Sequence, residues 1–347
     1  MYIKKILLAV VLLGLVAMGG FAWYVYSTVF APNTAFNNEQ AHIYIPTDAT
    51  YQDVVSELEP LLKDMDDFTA VAQKKEYASN IKAGHFIIKK GMNNNDIINT
   101  IRSKNIPIKV KFNNQERIED LAGNIARQIE ADSLSLLRAM KDSVFLEEAG
   151  QTDATALVLY IPNTYEFYWN SSAETFRDRM KTEYNRFWDE TRTQKAKNLN
   201  LTPAEVMSLA AIVQKETAKV EERPRVAGVY VNRLERGMPL QADPTVIYAK
   251  KRAENDFDQV IKRVLYKDLE LDSPYNTYKN TGVPPGPIAM PDISSIDAVL
   301  NYEDHDYYYF VADTQRFGYH KFAKTLAQHN RNKAEYVRWI SQQGVNR

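Results

Sequence analysis

The stretch Leu201-Thr202-Pro203-Ala204-Glu205-Val206-Met207-Ser208-Leu209-Ala210-Ala211-Ile212-Val213-Gln214-Lys215-Glu216-Thr217 carries both a defined helix start and a misplaced charge. Thr202 and Glu205 have the spacing of a capping box, and Pro203 takes the first helical position, where its missing N–H costs nothing. Glu205 therefore has a structural task. At about 100° per residue, Leu209, Ile212 and Val213 fall within roughly 60° of Glu216. Glu216 thus projects from the apolar stripe near the helix C-terminus, where the macrodipole also disfavours negative charge. Both effects raise a carboxyl pKa and keep its proton near neutrality, as a general acid requires. A buried glutamate paired with Arg223 or Arg233 accounts for the same pattern, and geometry alone does not choose.

Outward from this helix the chain carries amides, hydroxyls and tyrosines on proline-stiffened segments. Glu222-Arg223-Pro224 opens a second helix that runs through Val226, Val229, Tyr230 and Leu234 to Gly237, with Asn232 and Arg233 off its apolar stripe. Leu240-Gln241-Ala242-Asp243-Pro244-Thr245, Ser273-Pro274-Tyr275-Asn276-Thr277-Tyr278 and Gly282-Val283-Pro284-Pro285-Gly286-Pro287-Ile288 follow. Such loops suit a sugar, which offers hydroxyls to hydrogen-bond and a face to stack on, although turn chemistry explains each one singly. Asn232, Gln241, Asp243, Thr245, Tyr275 and Asn276 are the candidate substrate-binding residues. Asp243 and Glu222 are also candidate second carboxylates, each with a bland alternative: a turn residue before Pro244, and a helix N-terminal charge.

Other chemistry finds no foothold. There is no phosphate-cradling glycine loop, no G-x-S-x-G and no H-E-x-x-H. The histidines (His42, His85, His305, His320, His329) are scattered and cysteine is absent, so neither a metal nor a cofactor is expected. Lysine plus arginine number 43 against 44 acidic residues, without a long basic run, which removes the footprint of a nucleic-acid binder.

The 347 residues imply about two domains. Ile6 to Tyr26 is an uncharged run of 21 residues, long enough to cross a bilayer and too long for the apolar core of a cleaved signal peptide. Lys4 and Lys5 precede it and Trp23, Tyr24 and Tyr26 crowd its far end, so residues 1–5 are expected in the cytoplasm, 6–26 in the membrane and the rest outside. Beyond a polar tether, residues 40–108 read as a small α+β module: a strand at His42–Pro46, a helix capped by Thr50, a strand at Gly84–Ile88 and a helix capped by Asn95. Residues 109–347 read as a mainly helical domain with short strands: helices between Glu116 and Asn198 interrupted at 157–167, two helices over 199–240, loops over 241–291, strands at Tyr307–Val311 and Tyr319–Phe322, and a terminal helix from Thr325. The fold class is α+β.

Taken together, Ile212 to Thr217, Glu222-Arg223-Pro224, Val231-Asn232-Arg233-Leu234, Met238 to Tyr248, Ser273 to Tyr278 and Gly282 to Ile288 resemble the endolytic murein transglycosylases, or YceG-like family. The resemblance covers nearly the whole chain, anchor included. It implies that Glu216 is the catalytic acid, that residues 40–108 are LysM-like, and that the protein sits in the inner membrane, acts on peptidoglycan glycan strands and works beside peptidoglycan synthases. Family members typically carry glutamate where this chain has Gln214. The implied reaction breaks the β-1,4 bond between N-acetylmuramic acid and N-acetylglucosamine and leaves a 1,6-anhydro end. One carboxyl can serve such a ring closure, because the attacking hydroxyl is tethered to the substrate. A water-using muramidase and a non-catalytic, membrane-anchored glycan-binding scaffold are the alternatives.

Overall fold

The computed structural model describes residues 2–342, which form a mixed α+β architecture with a mainly helical body. Two compact units emerge. One comprises the chain up to Val110 with Arg127–Ala131 and Tyr165–Ser172; the other comprises Lys111–Ala126, Asp132–Thr164 and the chain from Ala173.

The first unit begins with a single apolar helix, Tyr2–Phe30, long and apolar enough to cross a membrane. Its last turn is fastened into the unit: the buried Thr28 donates its hydroxyl to Asp67 (2.9 Å) and accepts the Asn94 amide at its carbonyl (2.8 Å). Strands Gln40–Ile45 and Gly84–Lys89 pair antiparallel, Gln40 opposite Lys89 and Ile45 opposite Gly84. Helices Tyr51–Leu58, Met65–Lys74 and Asn94–Ser103 cover the pair, and Ile43, Phe68, Phe86 and Ile97 fill the space between. Thr50 caps its helix through a full capping box with Asp53. Two expectations change. The third helix is capped by Asn93, whose side chain takes the Asp96 N–H at 2.9 Å, and not by Asn95. Met65–Lys74, capped by Asp64, is a helix the sequence reading did not place.

The second unit is built around Pro203–Glu216. Thr202 and Glu205 form the expected capping box, each satisfying the other's backbone N–H. Every residue from Val206 to Val213 is buried, so this helix is enclosed on all sides and not merely along one stripe. Even Ser208 is inside, its hydroxyl returned to the Ala204 carbonyl at 2.9 Å. Helices Arg223–Glu235, Asp243–Glu254 and Ile293–Leu300 pack on it. Strands Tyr309–Ala312 and His320–Ala323 form an antiparallel hairpin, and Leu326–Gln342 lies against it. Asp243–Glu254 falls where the sequence reads as loop: Pro244 marks a helix's first turn, a position it occupies as readily as a reverse turn. At Gly286 a Cβ would lie 1.9 Å from the Ala154 carbonyl oxygen, so only glycine allows the 282–288 loop to lie this close to that backbone.

Candidate active site

Helix Pro203–Glu216 stops because Thr217 turns extended, and Glu216 is its last residue. The residue is half-buried and its side chain lines a cleft of about 310 Å³ that also presents Tyr230, Arg233, Gln241, Asp243 and Tyr278. The Tyr230 hydroxyl donates to Glu216 Oε1 at 2.9 Å. Burial pushes the Glu216 carboxyl up to about 7; the nearby Asp243 charge adds to this, while the Tyr230 hydrogen bond, His320 and Arg233 pull the other way.

The arginines that could have neutralised Glu216 are engaged elsewhere. Arg223 donates to the Ser294 hydroxyl (2.8 Å) and lies 3.9 Å from Asp292. Arg233, expected off the apolar face, is buried instead, and its guanidinium is spent on the carbonyls of Tyr308 (2.7 Å), Pro239 (3.2 Å) and Leu240 (2.8 Å). A buried cation can sit there because its Nε and Nη1 meet backbone carbonyls and its guanidinium lies over the Tyr309 ring, 5.3 Å from the centroid. Glu216 keeps a neutral phenol as its hydrogen-bond partner.

The other named residues separate into two groups. Gln241 and Asp243 face the cleft with Glu216. Gln241 sits at φ +52° and gives its N–H to the Thr277 carbonyl (3.0 Å), a left-handed turn that aims the chain into helix Asp243–Glu254. Asp243 accepts the Tyr278 hydroxyl at 2.6 Å. Thr245, Tyr275, Asn276 and Asn232 are not brought to this cleft. Thr245 is buried and shares a hydrogen bond with the Thr277 hydroxyl at 2.8 Å. Asn276 is fully buried and donates to the carbonyls of Leu269 and Leu271, holding its own loop. Tyr275 is 2% exposed, its ring 4.8 Å from that of Tyr248, and it lines a different cleft. Asn232 donates to the carbonyls of His305 (2.6 Å) and Tyr307 (3.0 Å).

Glu222 is buried outside the cleft and accepts three hydrogen bonds, from the Thr217 hydroxyl (2.9 Å) and from the His320 backbone N–H (2.7 Å) and ring Nδ1 (2.9 Å). Burial acts to raise its pKa, but the hydrogen bonds from His320 and Thr217 outweigh it and hold the carboxyl below its ordinary range. Glu222 thereby ties the hairpin to the residue that follows Glu216. Gln214 performs a similar office: its Oε1 accepts the Asp292 N–H (2.5 Å) and the Ser295 hydroxyl (3.0 Å), so its amide holds helix Ile293–Leu300.

Sequence reasoning missed Tyr230, Tyr278, Phe310, Val311, His329 and Lys333 as cleft residues. Tyr230 left a usable signal, since a tyrosine on a buried stripe needs a partner for its hydroxyl. The rest come from the hairpin and the terminal helix, and no local pattern links them to Glu216. Tyr230→Phe removes the donor that favours the ionised carboxyl, so the Glu216 pKa is expected to rise further above 7. A reaction needing the protonated acid loses rate as pH climbs through that value; its alkaline limb should move up by about 0.5–1 pH unit, measured as kcat/KM against pH. An unmoved limb would mean that the phenol does not govern this proton.

The YceG-like family profile matches residues 43–335. A Bacillus subtilis protein named endolytic murein transglycosylase is 31% identical over 281 residues, covering 76% of this chain and 75% of its own. Streptococcus pneumoniae proteins of the same name are 28% identical over 359 residues; 94% of this chain aligns, and it spans 64% of their length. The 2.6 Å crystal structure of a yceG-like protein from Listeria monocytogenes matches with a TM-score of 0.55 and 29% identity, over 85% of this chain and 99% of that one. With the profile spanning most of the chain, and relatives matching in sequence and in fold, the protein belongs to the YceG-like, endolytic murein transglycosylase family.

Proposed function

We propose that this protein cleaves the β-1,4 bond between N-acetylmuramic acid and N-acetylglucosamine in peptidoglycan strands by intramolecular transfer. The observation that carries this reading is Glu216, a carboxyl with its pKa raised to about 7 in an open cleft, hydrogen-bonded to a neutral phenol. Protonated Glu216 gives its proton to the glycosidic oxygen as the C1–O bond breaks. The muramic acid C6 hydroxyl then adds to C1, and Glu216, now a carboxylate, takes the hydroxyl proton. The cycle ends where it began and consumes no water. Gln241 and Asp243 stand beside the acid to hydrogen-bond sugar hydroxyls, while Asn232, Thr245, Tyr275 and Asn276 hold the loops that shape the cleft.

Asp243 also gives the hydrolytic alternative a foothold, because two carboxylates across a bond are what a water-using glycosidase needs. The product separates the two: mass spectrometry of digested strands should find anhydro ends lighter by one water, and hydrolytic ends alone would establish a muramidase.

The apolar helix anchors the protein in this reading, with Lys4 and Lys5 on the cytoplasmic side and the cleft outside the inner membrane, beside the peptidoglycan synthases the family implies. A C-terminal reporter active only in the cytoplasm would reverse that topology. Residues 40–108, folded about one antiparallel strand pair, stand as the LysM-like module that adds glycan affinity.

A further inference from the structure

A second cleft of about 300 Å³ opens in the same unit, bordered by Arg117, Lys141, Asp153, Tyr248, Arg252 and Phe257. A smaller depression of about 200 Å³ shares Glu116 and Tyr248 with it and is also lined by Lys215 and Pro244, the chain neighbours of Glu216 and Asp243. The two depressions form a track along helix Asp243–Glu254, past Ile247 and Lys251 to Arg252, that begins at residues adjacent in the chain to Glu216 and Asp243.

The charges along this track are matched, with one exception. Lys141 meets Asp153 (2.9 Å) and Glu119 (3.6 Å), Arg117 forks onto Asp120 (3.0 and 2.5 Å), and Glu116 takes both Lys215 (2.8 Å) and Lys251 (2.9 Å). Among the described residues Arg252 has no ion-pair partner; its guanidinium lies over the Tyr275 ring, 5.2 Å from the centroid, with the Tyr275 hydroxyl at 3.5 Å. The hydroxyls of Tyr275 and Tyr248 hydrogen-bond this exposed guanidinium but leave it without the carboxylate that a planar fork receives in two parallel hydrogen bonds. A neutral sugar has no call for such a group. A short peptide with free carboxylates and an amine does, and the mixed rim of Lys141, Asp153 and Glu119 complements it.

Reach agrees with this. Arg252 lies about 13 Å beyond Asp243 at ~1.5 Å of helix rise per residue. An extended peptide of about four residues spans that distance at ~3.3 Å each. Resting on the cleavage reading above, we infer that this cleft receives the peptide stem of the muramic acid bound beside Glu216, with Arg252 holding a stem carboxylate.

The test compares peptidoglycan strands bearing stems with strands stripped of them by an amidase, using the full-length protein. Wild type should favour stem-bearing strands in kcat/KM by about tenfold or more. Arg252→Met, which keeps an apolar stem over Tyr275 but no charge, should bring that ratio close to one, mainly through KM. Free stem peptide should inhibit wild-type cutting of stem-bearing strands, a readout independent of how the variant folds. An Arg252→Met ratio equal to wild type, or a wild type indifferent to stems, overturns the inference while leaving cleavage intact. Failure of wild type to cut either substrate would instead refute the cleavage reading on which it rests.

Discussion

Glu216→Gln should lower the formation of anhydro ends by about 10²–10⁴-fold while leaving the protein folded. The amide keeps the size of the side chain and can still accept the Tyr230 hydroxyl, so only the transferable proton is lost. Stability should respond in a pH-dependent way. The folded state holds the Glu216 proton up to about pH 7, whereas the unfolded chain releases it near the ordinary glutamate value of 4.5. Between those values the folded state binds more protons, so wild-type stability declines as pH rises through this window. The glutamine variant has nothing to ionise. Its melting temperature should match wild type below about pH 4.5 and exceed it most above pH 7. A folded variant that still makes anhydro ends near the wild-type rate would remove Glu216 from the mechanism and direct attention to Asp243.

Glu222→Ala should behave in the reverse manner. Its carboxylate accepts from Thr217 and twice from His320, and truncation leaves those donors unpaired in a buried place. Each orphaned group costs about 1–3 kcal/mol, so a loss of at least 3 kcal/mol is expected, read from denaturant or thermal unfolding. The sign with pH also reverses. A carboxyl held below its ordinary range stabilises the fold above that range, and the contribution fades as pH falls through its folded value, so the penalty should shrink in acid. Activity should fall only as far as the His320 hairpin, which carries Phe310 and Val311 into the cleft, shifts away from Glu216. Normal stability combined with a loss of rate as deep as that of Glu216→Gln would place Glu222 at the substrate instead.

These two glutamates look alike in the sequence, six positions apart and each near a helix end. Their environments separate them. Glu216 meets one phenol; Glu222 meets a hydroxyl, a backbone N–H and an imidazole nitrogen. The imidazole and the N–H belong to His320, far along the chain, so no reading of a local window could assign them. The same limit explains Arg233. A cation on a helix reads as solvent-facing until the carbonyls of Tyr308 and Leu240 arrive to surround it.

What the sequence determined by itself are features settled within a turn or two of chain. The apolar length of the first helix, the Thr202–Glu205 and Thr50–Asp53 capping boxes, the helix stop at Gly237 and the position of Glu216 among apolar residues all follow from local hydrogen bonding and side-chain period. Even there ambiguity remained where one residue serves two local structures, as Pro244 does in opening a helix that reads as a turn. Tertiary structure alone decided which partner Glu216 would have, that Gln241 and Asp243 would share its cleft while Asn276 and Tyr275 would not, and that the terminal helix would supply a wall. The reason is desolvation: the proton on Glu216 is held by removing water, and that takes groups from Tyr230, the Phe310 strand and His329 together, brought to one point by packing that no short stretch of sequence encodes.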